Sequence, residues 1–164
     1  MKNYKLRTAR IGDLPEIVNI YNWAVRNTTA TFDLKEKRKE ELRQWYYTHN
    51  EYFPLIVAET SASIIGWGAL SQFDKKPAYN CTAEVSLYIH PNHQGKGVGS
   101  AILDTLLKSA KGKLHNIVSR ITTDNTTSMK MHKKHGFFLA GTMKEVGRKF
   151  DRYLDVSIYQ KIID

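Results

Sequence analysis

Three alternate glycines, Gly95, Gly97 and Gly99, stand between a β-rich run and an amphipathic one. They mark where this chain could hold a phosphate. Ahead of them Val85, Leu87 and Ile89 alternate with Glu84, Ser86 and Tyr88, the period of a strand. Behind them Ile102, Leu103, Leu106, Leu107 and Ala110 recur at helical spacing, which predicts a helix from about Gly97 to Lys111. A glycine-rich turn from strand to helix leaves backbone N–H groups free at the positive helix end, a donor set suited to phosphate. The dinucleotide pattern wants glycine where Ser100 stands and an acidic residue about twenty positions on, and the chain has neither. The Walker pattern fails as well, because no Gly-Lys-Ser/Thr follows a first glycine at the required interval. What remains is Gln94-x-x-Gly97-x-Gly99.

Two further side chains could move protons. Glu84 lies on the strand that feeds the glycine loop. A carboxylate there could act as a general base. From the residues alone, a general base and a plain surface glutamate weigh equally. His132 sits between Asn125 and Gly136 on a short helical stretch, and an imidazole titrates near neutrality. A lone helical histidine is more often a packing residue, and His135 falls on nearly the same face. His90 and His93 share a loop but lack metal-ligand spacing, and no Cys/His cluster has zinc geometry, so no metal is expected. Cys81 reads as an ordinary free thiol.

These groups need a scaffold. Tyr4, Leu6 and Thr8 alternate as a first strand, and Gly12-Asp13 stops it. Asp13 with Glu16 resembles a capping box, Pro15 is tolerated in a first turn, and Leu14, Ile17, Val18, Tyr21 and Val25 follow at helical intervals. The run 27–33 is poor helix material and reads as a loop. A second helix with a basic, solvated side is predicted from about Lys35 to His49, on the strength of Leu42, Trp45 and Tyr46. Pro54 to Glu59 and Ile64 to Ser71 form a hairpin around Ser61–Ser63, and Lys75–Tyr79 loops into the glutamate strand. Ile117 to Thr123 is a strand, a short helix closes on Gly136, and Phe137–Val146 and Tyr153–Ile162 form a final strand pair. The order is β-α-α-β-β-β-α-β-α-β-β, a mixed sheet of α/β (α+β) type flanked by helices, in one domain spanning 1–164.

The totals set bounds. At 164 residues with 41% hydrophobic content the chain can bury a real core. No apolar run reaches membrane-spanning length, and no apolar segment follows the charged N-terminus as in a signal peptide. One cysteine excludes an internal disulfide and suits a reducing cytosol, so a cytoplasmic location is expected. The net charge of +9 is scattered, without a nucleic-acid motif, so nucleic acid is not favoured as partner. The same charge would serve a polyanionic cofactor.

The glycine loop resembles the pyrophosphate loop of the GNAT superfamily of acyl-CoA N-acyltransferases. Asn125-x-x-Ser128-x-x-x-His132 with Gly136-Phe137 resembles its second signature. Tyr21-Asn22, the stretch 28–33, Gly66-Trp67, Pro77–Tyr79, Thr82–Glu84, and 146–150 through 154–156 are similar to the phosphinothricin/methionine sulfoximine N-acetyltransferases. That likeness implies a GNAT-type sheet, acetyl-CoA as cofactor, a small amino-acid acceptor and a homodimer. It tips Glu84 towards the general base and selects His132 to protonate the departing thiolate or to help take the amine's proton. It implies cofactor contacts from Leu87, Tyr88 and Ile89, from Gln94, Gly95, Lys96, Gly97, Val98, Gly99 and Ser100, and from Asn125 and Ser128. Amides near Leu87–Ile89 would steady the acyl oxygen, worth roughly 3–4 kcal/mol per donor. Acceptor contacts fall on Thr29, Phe32, Lys76, Tyr79, Glu84 and Val85. Lys76 stands where the family leads one to expect arginine, a point charge in place of a fork. Other acceptors (a protein N-terminus, lysine, a polyamine or an aminoglycoside) and a non-catalytic acyl-CoA- or RNA-binding module remain open.

Overall fold

The computed structural model describes residues 3–163; Met1, Lys2 and Asp164, the ends of the expected 1–164 domain, lie outside that span. Seven strands form one sheet in the order β1-β2-β3-β4-β5-β7-β6, from β1 (Lys5–Thr8), β2 (Leu55–Glu59), β3 (Ile64–Gln72), β4 (Thr82–Ile89), β5 (Asn116–Thr122), β6 (Phe138–Lys149) and β7 (Arg152–Ile162). Neighbours are antiparallel except β4 and β5, which run parallel and are joined through α3 (Val98–Ala110). The remaining helices are α1 (Leu14–Asn27), α2 (Lys39–Tyr46) and α4 (Thr126–Lys134). The predicted element order is the observed one.

Both faces of the sheet are covered, and β2 shows how. Ile56 and Ala58 join a core with Ile102, Leu103 and Leu106 of α3, whereas Leu55 and Val57 join a second core with Leu14 and Ile17 of α1 and Leu42 of α2. Period-2 alternation divides one strand between two helical layers. Ile102, Leu103 and Leu106 are fully buried, and each such side chain contributes about 1.5–3 kcal/mol.

Two local expectations are corrected. The Asp13 side chain does not cap α1. It accepts from the Arg10 amide at 2.7 Å and pairs with Arg7 Nη1 at 2.7 Å, while Glu16 reaches across to accept from the amide of Ile64 at 2.7 Å. Helix α2 begins four residues later than predicted, because Asn22 holds Lys37 in a backbone-like grip, donating to its carbonyl at 2.9 Å and accepting from its amide at 2.8 Å. Arg38 is then the extended cap residue, and Glu41 accepts from its amide.

Candidate active site

The site forms where the sheet comes apart. Parallel pairing of β4 with β5 covers only Thr82, Ala83 and Glu84, opposite Asn116, Ile117 and Val118. Beyond Glu84, β4 continues to pair with β3 on its other side as far as Ile89. The Thr82 carbonyl accepts from Phe73 and the His90 amide donates to Ile65, so even-numbered residues bond to β3. Strand alternation therefore turns the peptide groups of Leu87 and Ile89 to the open, β5 side, while the Val85 amide still belongs to the last rung of the β4–β5 ladder, opposite Val118. Buried peptide groups are rarely left without partners, so this edge is a row of donors and acceptors available to a ligand.

Two cavities meet along that edge. The smaller, of about 400 Å³, is walled by β4, by β5 and by the 29–32 segment, with Met143 and Val146 of β6 at its rim. The larger, of about 640 Å³, runs past Ile89 and the glycine loop to the start of α3. Leu87, Tyr88, Asn125 and Ser128 line both, so the two spaces share one mouth.

The glycine loop has the conformation that phosphate binding asks of it. Gly95 and Gly97 have φ of +70° and +78°, the left-handed region that side chains disfavour, and Gly97 is the cap residue just before α3. Gln94, Gly95, Gly97, Val98, Gly99 and Ser100 line the larger cavity. Gln94 also donates to the Ile89 carbonyl at 3.2 Å, tying the loop to the open edge. Lys96 differs. Its Nζ turns back onto the Asn92 carbonyl at 2.8 Å, and it lines neither cavity. Asn125 caps α4, accepting from the Ser128 amide at 3.1 Å, which fixes it at the shared mouth. Amide donors, left-handed glycines and a helix N-terminus fit an acyl-CoA diphosphate and its arm.

In the smaller cavity stand Thr29, Phe32, Glu84, Val85 and His132. Tyr21 donates to Asp33 and shares a hydrogen bond with Thr31, and the buried Lys149 donates to the Thr31 carbonyl at 2.8 Å; together these hold the 29–33 segment over the site. Burial pulls the Lys149 ammonium below its usual value. Tyr88 packs against Tyr21 and Trp67, and burial raises its phenol, so it stays neutral. Glu84 carries a partner that the sequence did not disclose. Arg120 of β5 donates to it through Nε at 2.7 Å and Nη2 at 2.6 Å, a bidentate fork.

His132 is 2% exposed and lies edge-on to Phe137 at 4.9 Å. Its Nδ1 is 2.8 Å from the Ser128 carbonyl, and a carbonyl only accepts, so Nδ1 carries the hydrogen and Nε2 is bare. Nε2 has no hydrogen-bond partner among the described residues. Burial also depresses the ring's pKa. In this tautomer the ring can take up a proton at Nε2, and it can donate one there only after such uptake. His135 points elsewhere, with Nε2 3.2 Å from Asp104 of α3.

Lys76 and Tyr79 line neither cavity. Their segment is held in its own turn, with the Lys76 amide on Asp74 and Tyr79 edge-on to Phe73 at 5.3 Å. The residues that sequence reasoning missed are Arg120 and Ser119 on β5, Met143 and Val146 on β6, and Trp23 and Arg152 beside the larger cavity.

Known proteins share this fold. Residues 6–158 match the acetyltransferase (GNAT) domain family. The chain belongs to the GNAT acetyltransferases. It is 38% identical to the phosphinothricin N-acetyltransferase of Streptomyces coelicolor, over 91% of this chain and 90% of that one. It is 33% identical to the L-methionine sulfoximine/L-methionine sulfone acetyltransferase of Pseudomonas aeruginosa, over 97% and 94%. A GNAT phosphinothricin acetyltransferase of Sinorhizobium meliloti, solved with acetyl-CoA, superposes with a TM-score of 0.92 at 30% identity, covering 98% of this chain and 89% of that one. Acetyl-CoA is the acyl donor of the family, and this chain is an N-acetyltransferase.

Proposed function

We propose that the protein acetylates the α-amino group of a small amino acid of the phosphinothricin or methionine sulfoximine/sulfone kind, by direct transfer within a ternary complex. The observation that carries this reading is the shared mouth. A space of about 400 Å³, ample for an amino acid, lies beside a carboxylate and adjoins a second space lined by the glycine loop. The names of the two similar enzymes supply the acceptor class.

Glu84 takes one proton from the acceptor's ammonium, directly or through a water. Acetyl-CoA, held along Leu87–Ile89, the glycine loop and Asn125, would supply the acyl group as a thioester, and the second proton that the nitrogen loses on becoming an amide would balance the one gained by the departing sulfur. The amides of Leu87 and Ile89 offer donors for negative charge on the acyl oxygen. His132 offers a second, neutral proton acceptor. Tyr88, Phe32 and the 29–33 segment keep water from the mouth, and holding amine and thioester together supplies most of the acceleration.

A thiol-release assay with acetyl-CoA and a panel of amines tests the reading. Turnover is expected on methionine sulfone, methionine sulfoximine or phosphinothricin, and activity confined to polyamines or peptides would reject it. A homodimer belongs to the same proposal. The exposed apolar side chains of Phe138, Leu139, Met143, Val146 and Tyr153 on β6 and β7 support it, and light scattering coupled to size exclusion checks it. No helix among the described residues is long and apolar enough to cross a membrane. The exposed free Cys81 suits the cytoplasm proposed as location.

A further inference from the structure

Glu84 and Arg120 are diagonal neighbours on one face of the sheet, at the point where β4 and β5 part. Glu84 lies opposite Val118, and Arg120 is two residues further along β5, so both side chains project to the same side. They are the charged residues of the acceptor cavity: its other lining residues are neutral or apolar, with His132 held neutral. In this arrangement the proposed base is occupied. Both of its oxygens accept from the guanidinium.

We propose that Arg120 is the specificity residue for the acceptor's α-carboxylate, and that the acceptor takes Glu84's place on the guanidinium fork. The inference rests on the amino-acid reading above and deepens it. An α-amino acid carries its ammonium and carboxylate on one carbon, and the cavity carries a carboxylate and a guanidinium side by side. Docking exchanges one internal ion pair for two across the interface: substrate carboxylate on Arg120, substrate ammonium on Glu84. The Arg120 side chain is 57% exposed. Its attraction to Glu84 is therefore screened by solvent, and a second carboxylate can compete for the same fork. An amine without a neighbouring carboxylate offers Arg120 nothing, and Glu84 stays clamped. The device thus selects α-amino acids over their amides and over simple amines, and it unmasks the base only when such an acceptor is bound. A carboxylate on the α-carbon fits the adjacency of the two groups better than an anion at the far end of the acceptor's side chain.

The test compares methionine sulfone with its α-carboxamide at saturating acetyl-CoA, in the wild type and in Arg120→Gln. The wild type is expected to favour the free acid by roughly ten- to hundredfold in kcat/KM, the range for losing a charge-assisted hydrogen bond. In Arg120→Gln that ratio collapses towards one, chiefly through KM for the acid. Arg120→Lys, which keeps charge without the fork, gives an intermediate ratio and serves should the glutamine variant not fold. Phosphinothricin, with a second anion at its far end, follows the same ratio against its own carboxamide if the α-carboxylate is the group read. An unchanged acid-to-amide ratio in both variants would overturn the inference while leaving the amino-acid reading intact. A wild type that acetylates no amino acid but does acetylate other amines would remove that reading, and this inference with it.

Discussion

The ring of Phe32 lies directly over Gly147 of β6, so close that a methyl group at 147 would overlap its Cε2 and Cδ2 atoms. Phe32 walls the cavity proposed for the acceptor, and Gly147 is a seat for it. Gly147→Ala is expected to push the ring and the 29–33 segment aside, at a cost of about 1–3 kcal/mol for overpacking. Acceptor KM should rise while calorimetry shows unchanged affinity for acetyl-CoA. A variant with wild-type KM would show that the ring's seat does not shape the cavity.

Glu84→Gln keeps the shape of the proposed base and removes its charge. Turnover should fall by roughly two to four orders of magnitude, while the affinity for acetyl-CoA, held by a different stretch, stays near wild type. Single-turnover thiol release alongside calorimetry separates the two. Unchanged turnover would leave Glu84 as no more than a partner for Arg120.

Gly97 offers a test of the other cavity. Nothing lies within 4 Å of a Cβ built at this residue, yet its φ is +78°. The effect of Gly97→Ala is thus conformational and not steric, at about 1–2 kcal/mol for an L-residue held left-handed. The strain falls on the turn that aims the first amides of α3. Acetyl-CoA should bind more weakly, with acceptor KM unchanged at saturating cofactor. Equal cofactor affinity would mean that the loop tolerates a different turn.

What the chain disclosed in advance was whatever local periodicity and spacing encode. The alternation at Val85, Leu87 and Ile89 and the helical spacing of Ile102, Leu103 and Leu106 placed β4 and α3, and the glycine spacing placed the turn between them. The misread features depend on partners distant in sequence. Glu16 looked like half of a capping box, but its carboxylate serves an amide 48 residues away. The start of α2 was set by Asn22, fifteen residues before Lys37. Arg120 sits in a strand whose period says only that it faces away from Ile117 and Ile121. Its meeting with Glu84 exists because two strands 36 residues apart separate at that level. Lys149 is 4% exposed because the 29–33 segment folds over it, a contact across more than a hundred residues of chain that no local pattern marks.

The response of stability to pH should show two separate windows. Burial holds both His49 and His132 below the ordinary histidine value. The folded chain therefore keeps these rings neutral, whereas the unfolded chain takes up protons near pH 6.5. Where the unfolded state binds more protons, stability falls as pH falls. This contribution is complete above about pH 6.5 and is lost progressively below it. Glu59, paired first with Arg7 and then with Lys5, is lowered to about 2, so its contribution is lost in a more acid window that opens only below about pH 4.3. His49 stacks edge-on against Trp45 at 4.5 Å and lines neither cavity, so it can be altered without touching the proposed chemistry. In His49→Gln, the plot of Tm against pH between about 7 and 5 should be flatter than in the wild type, because one of the two buried titrations is gone. Parallel curves for the two proteins would show that His49 takes no part in the loss.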